Sequence, residues 1–99
     1  MERDERIVCV MAVEKFGPES QIQMAIEECA ELIDALCKFR RERVGPIDVA
    51  TEIADVQIMC AQLSYMFGEK MVSDERARKI DRLKKRLIKY ENAIEPNFE

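Results

Sequence analysis

Two pairs of acidic residues have the spacing to do chemistry together. Glu28 and Glu31 lie within Glu27-Glu28-Cys29-Ala30-Glu31, and Glu52 and Asp55 within Glu52-Ile53-Ala54-Asp55. Residues three apart share a helix face, so each pair offers two carboxylates in one direction. At about 100° per residue, Glu52 points the same way as Val56, Met59 and Leu63, the middle of an apolar stripe, and Asp55 lies near its edge beside Met59 and Met66. Glu28 borders a strip of Ala25, Leu32 and Phe39, while Glu31 is further round and less clearly inward. An ionised carboxylate taken out of water is costly unless it is paired or bound to a metal. Suitable bases are missing from this interior, because Lys38, Arg40, Arg41 and Arg43 cluster at the far end of their segment. Four acids brought together also repel one another. A hard divalent cation relieves both problems, and Mg²⁺ favours a few carboxylates plus substrate phosphates, with Mn²⁺ as a substitute. Glu27 and Asp34 read more simply as a solvated face.

Four helical segments must position these acids. The first is expected from about Asp4 to Phe16, ending at Gly17-Pro18. The second opens at Pro18-Glu19-Ser20 and runs to roughly Arg41, with Ile22, Ile26, Cys29, Ile33 and Leu36 recurring at fours and threes as one apolar face. Val44-Gly45-Pro46 breaks the chain, and Asp48 is the expected cap of a third helix from about Val49 to Phe67, ended by Gly68. Ser73 or Asp74 is the expected cap of a fourth, with a stripe of Ile80, Leu83, Leu87, Ile88 and Tyr90. The tail from Glu95 is expected to fray. No repeat or linker divides the chain, which reads as one all-α domain over residues 1–99.

Composition supports few, long elements: three Gly, three Pro, 47% hydrophobic and 36% charged residues in a 99-residue chain favour helices over many short strands. A chain this small buries a modest fraction of its surface, so oligomerisation is a common supplement. The net charge of −4 argues against a general nucleic-acid polymer as partner. Charge is nevertheless uneven: residues 76–89 carry eight bases (Arg76, Arg78, Lys79, Arg82, Lys84, Lys85, Arg86 and Lys89) against Asp81 alone. An acidic middle and a basic end suit a ligand that combines a metal with phosphates. Cys9, Cys29, Cys37 and Cys60 show no C-x-x-C spacing and have no His to complete a zinc site, so they read as reduced core thiols. Met11, Met24, Met59, Met66 and Met71 read as core or interface fillers. The longest apolar run, Ile7 to Val13, is too short to span a bilayer. Free thiols and the lack of a membrane span suggest a cytoplasmic protein.

The acids and their surroundings resemble the E-E-x-x-E…E-x-x-D signature of the MazG-like all-α nucleoside triphosphate pyrophosphatases. The resemblance spans roughly residues 16–90 and takes in Gln21-Ile22-Gln23, Ala30-Glu31-Leu32 and the run from Glu52 to Met59. It implies a four-helix bundle completed by oligomerisation, as a homodimer or homotetramer. It also implies Mg²⁺-dependent cleavage of a nucleoside triphosphate between the α and β phosphates, giving the monophosphate and pyrophosphate. Glu28, Glu31, Glu52 and Asp55 would then be the metal ligands, and Glu27 an auxiliary carboxylate. Lys79 and Arg82 resemble the family's phosphate-binding bases, with Gln23 and Lys38 as further substrate-binding candidates. There is no Trp or His to meet a base, so Phe16, Phe39 or Tyr65 is left to stack on it.

Two other readings compete. One is a non-catalytic helical interaction or regulatory module with a vestigial metal site, against which the completeness of the acid set argues. The other is a ferritin-like iron or manganese carboxylate protein, whose Glu-x-x-His ligands this His-free chain cannot supply.

Overall fold

A computed structural model describes residues 2–90 and shows four α-helices, with no strand among the described residues. They are α1 (Arg3–Phe16), α2 (Pro18–Arg40), α3 (Pro46–Phe67) and α4 (Glu69–Tyr90). The expected frayed tail from Glu95 lies outside the described residues. Contacts divide the chain into two compact units, one up to Phe67 and one from Gly68.

Each break in the first unit has a local cause. Gly17 takes φ 91°, a conformation that costs side-chain-bearing residues energy, and its N–H donates to the Val13 carbonyl at 2.9 Å to close α1. Pro18 then occupies the first helical position of α2, where its missing N–H costs nothing. At the other end of α2, Glu42 sits at φ 59°; the Arg43 N–H donates to the Lys38 carbonyl and the Glu42 N–H to the Phe39 carbonyl, both at 2.9 Å. This is a Schellman closure with Glu where Gly is usual.

Two boundaries differ from expectation. Helix α3 begins at Pro46 rather than about Val49, again with Pro in the first helical position. Asp48 therefore lies inside the first turn, and its Oδ2 accepts from the Gly45 N–H at 2.9 Å, the backward-reaching half of a capping box. Helix α4 begins at Glu69, directly after Gly68 at φ 125°, so neither Ser73 nor Asp74 is its cap. Asp74 instead pairs with Lys70 at 2.8 Å.

In the first unit α2 and α3 pack most extensively, and α1 packs on both. The core is small: Cys9 and Val13 from α1, Ala25 and Ala35 from α2, and Met59 from α3, together with Gln21 and Gln62. The apolar face expected to bury α2 does not do so. Ile26 and Ile33 are 58% and 63% exposed, and the neighbouring strip of Ala25, half-buried Leu32 and Ala35 faces the core instead. Small Ala side chains allow the close approach of two helices, which the larger Ile stripe would prevent. The cysteines are all free, but only Cys9 is buried; Cys29, Cys37 and Cys60 are exposed and are not core thiols. Of the methionines, Met59 is buried and Met66 half-buried, while Met11, Met24 and Met71 are exposed.

Helix α4 buries none of its residues, and its apolar residues Ile80, Leu83, Leu87, Ile88 and Tyr90 are exposed. Its surface carries ion pairs between Arg78 and Glu75 at 2.8 Å and between Lys85 and Asp81 at 3.1 Å. No described helix is long and apolar enough to cross a membrane.

Candidate metal centre

A buried hydrogen bond sets the register of the α2–α3 pair. Gln21 Nε2 donates to Gln62 Oε1 at 2.6 Å, with both side chains out of water. The helices run in opposite directions, so equal steps forward on α2 and backward on α3 reach facing positions. Seven steps lead to Glu28 and Asp55, and ten lead to Glu31 and Glu52. The spacing of the acids on each helix therefore matches the register that the glutamines impose.

The result is a convergent carboxylate cluster. One carboxylate oxygen from each of Glu28, Glu31 and Glu52 lies within 4.8 Å of the others. Glu28 and Glu52 are half-buried and Glu31 is exposed, so the cluster is closed on the helix side and open beside Glu31. Glu28 Oε2 and Glu52 Oε2 are both buried without any hydrogen-bond partner. Burial first, and then the charges of Glu31 and Asp55, hold the Glu28 carboxyl above the usual carboxylate range. The same causes in the same order push Glu52 up. Asp55 is half-buried and adds its charge to both, although it stands outside the closest group of three.

These residues fit a divalent cation. Buried polar atoms are normally satisfied, and three convergent carboxylates, two of which keep a buried oxygen without a partner, are what hard-cation ligands look like before the ion is added. Beside the cluster a cavity of about 260 Å³ is lined by Glu31, Asp34, Ala35, Lys38, Val44, Asp48, Thr51 and Glu52. It brings Lys38 close to the acids, with its ammonium 2.8 Å from Asp34.

The other site candidates fall elsewhere. Glu27 and Gln23 are exposed, about 100° and 140° round α2 from Glu28. Lys79 and Arg82 are exposed on α4, in the second unit. Among the aromatic candidates, the Tyr65 hydroxyl donates to Glu14 at 2.7 Å, while Phe16 and Phe39 are largely exposed. Sequence reasoning missed Gln62 and Thr51 and gave Asp48 a capping role without placing it beside the acids. Gln62 had a signal: it is a lone amide among Met59, Leu63 and Met66, a polar side chain at a core position.

No protein-family model matches the chain, and no curated protein or solved structure is significantly similar to it.

Proposed function

We propose that the chain is a Mg²⁺-dependent nucleoside triphosphate pyrophosphohydrolase of the MazG-like kind, using its carboxylate cluster as the metal centre. The observation that carries this reading is the convergence of the Glu28, Glu31 and Glu52 carboxylates, two of which keep a buried oxygen without a partner. Glu28, Glu31 and Glu52 would hold the ion, with Asp55 as the fourth ligand; Mn²⁺ would serve in place of Mg²⁺. When bound, the ion supplies charge neutralisation at phosphate oxygens and lowers the pKa of a coordinated water. The chain's own groups do the rest. The α2–α3 packing excludes water from the inner side of the cluster, while the exposed Glu31 side admits a charged substrate. Lys38 lines the adjoining cavity and offers a cation for phosphate oxygens once it leaves Asp34. The resemblance alone gives Glu27 an auxiliary role, either supporting the ligands from behind or orienting water, and gives Gln23, Lys79 and Arg82 to the substrate. The acting species is a homodimer or homotetramer in the cytoplasm.

The test is a panel of common and modified nucleoside triphosphates, incubated with the protein and Mg²⁺, with the products identified. Pyrophosphate and the nucleoside monophosphate are expected from at least one member, and from none without the metal. Orthophosphate as product, or no metal-dependent turnover across the panel, overturns the reading. The latter favours the non-catalytic interaction module, which the many exposed apolar side chains also suit.

A further inference from the structure

Helix α4 has a charge pattern unlike the rest of the chain. The first unit, up to Phe67, carries thirteen acids against seven bases, whereas residues 76–90 of α4 carry eight bases against Asp81 alone. A net charge of −4 therefore conceals one strongly basic helix.

The apolar residues of α4 are as ordered as its charges. At about 100° per residue, Ile80, Leu83, Leu87 and Tyr90 fall within an arc of about 80° and form a stripe along the last three turns. All four are exposed. Lys79 and Arg86 border the stripe on one edge and Lys84 on the other, each within about 40° of one of its members. Arg76 stands in line with the stripe one turn before Ile80 and ends it. Asp81 lies about 100° or more from every member and pairs with Lys85 at 3.1 Å. The one acid is thus turned away from the stripe and already answered.

We propose that this part of α4 is a membrane-surface helix, which lies flat in the interface of a bilayer that contains anionic phospholipid. Nothing in this depends on the hydrolase reading. The stripe enters the boundary of the acyl chains, the flanking Lys79, Lys84 and Arg86 meet headgroup phosphates, and Tyr90 sits at headgroup level, where amphipathic rings collect.

The distribution of charge selects this partner over two others. A nucleic-acid backbone offers phosphates but no apolar counterpart to Ile80, Leu83 and Leu87. An acidic groove on a protein covers the stripe and its edges but makes no use of Arg82 and Lys89, on the opposite face. The negative potential of a lipid surface reaches about 8–10 Å at ordinary salt, roughly the diameter of a helix. It therefore attracts bases on every face at once, each adding about fivefold to partitioning. That attraction offsets the repulsion felt by the acidic first unit. The helix stays at the surface, since no described helix is long and apolar enough to cross a membrane.

Sedimentation of the full chain with lipid vesicles, without divalent ions, tests the proposal. Phosphatidylcholine vesicles with about 30% phosphatidylserine are expected to bind the wild type at least about tenfold more strongly than phosphatidylcholine alone, and about 0.5 M salt to remove the difference. The double variant Leu83→Gln/Leu87→Gln keeps every charge and is expected to lose at least about tenfold of that binding. Equal binding to the two kinds of vesicle overturns the proposal. So does a variant that binds as well as the wild type, a result that points to a polyanion such as a nucleic acid. Should the variant lose its helix, amide hydrogen exchange on the wild type decides. Residues 79–90 are expected to exchange at least about tenfold more slowly with anionic vesicles than with neutral ones; unchanged exchange overturns the proposal.

Discussion

The seam between α2 and α3 holds two polar layers in one register, and they are resolved in opposite ways. In the first, Gln21 and Gln62 close on each other with a 2.6 Å hydrogen bond. In the second, two turns along, Glu28 and Glu52 each keep a buried oxygen with no partner, and the nearest groups are further carboxylates. An amide carries both a donor and an acceptor, so a pair of amides can satisfy each other. Ionised carboxylates only accept, so a cluster of them cannot be self-sufficient. The glutamine layer is complete as it stands and fixes how the helices meet. The acid layer is complete only with something positive in it, a proton shared with Glu31 or a bound cation.

The largest effect expected from breaking this contrast is at Glu52. Replacing it with Gln should lower affinity for Mg²⁺ or Mn²⁺ by more than about a hundredfold, since loss of a ligand should exceed the loss of its supporting shell. Turnover should disappear with it. The same substitution should raise the melting temperature of the metal-free protein, because it removes a charge that burial and its neighbours oppose. The pH dependence has a definite sign. Glu28 and Glu52 titrate above the usual carboxylate range when folded, so the folded state holds their protons more tightly than the unfolded state. Their contribution to stability is fully present below the ordinary carboxylate pKa and is lost as pH rises through the raised values. In melts of metal-free protein, the gain of Glu52→Gln over wild type should therefore grow as pH rises over that window. A gain that shrinks with pH would contradict the assignment.

A smaller effect is expected in the glutamine layer. Gln62→Leu leaves Gln21 buried without a partner and should cost about 1–3 kcal/mol in urea unfolding. Gln21→Leu/Gln62→Leu together should recover most of that loss, while divalent affinity changes far less than in Glu52→Gln. A neutral single variant would remove the distinction between the two layers. Least affected should be a site outside both. Glu42 holds a left-handed conformation at the end of α2, and Glu42→Gly should stabilise the protein by about 1 kcal/mol with cation binding unchanged.

Much of this was legible in the residues. Four helices, their breaks at Gly17 and Gly68, and the inward aim of Glu52 follow from periodicity and from the acids' neighbours. The helix starts were less legible, because Asp48, Ser73 and Asp74 look like caps; Asp48 bonds backward to Gly45 instead, and α4 follows Gly68 without a pause. The orientation of α2 was misjudged for a deeper reason. Periodicity shows that Ile22, Ile26, Cys29, Ile33 and Leu36 share a face but not what covers that face. The intramolecular contact went to the thinner strip of Ala25 and Ala35, which lets the backbones come closer. The exposed Cys29, Cys37 and Cys60 follow the same logic, since their apolar neighbours are not core either. The acid cluster was legible as two pairs on two helices, but its closure depends on the α2–α3 register, which the buried Gln21–Gln62 pair marks and which the spacing of the acids alone does not reveal.

The central claim is tested most directly by titrating Mn²⁺ into the protein and counting free ion by electron paramagnetic resonance, in wild type, Glu52→Gln and Gln62→Leu. The expected result is one site per chain in the wild type, displaced by Mg²⁺, retained in Gln62→Leu and lost in Glu52→Gln. Mn²⁺ that stays free at about millimolar concentrations, or that binds Glu52→Gln as well as wild type, would contradict the account.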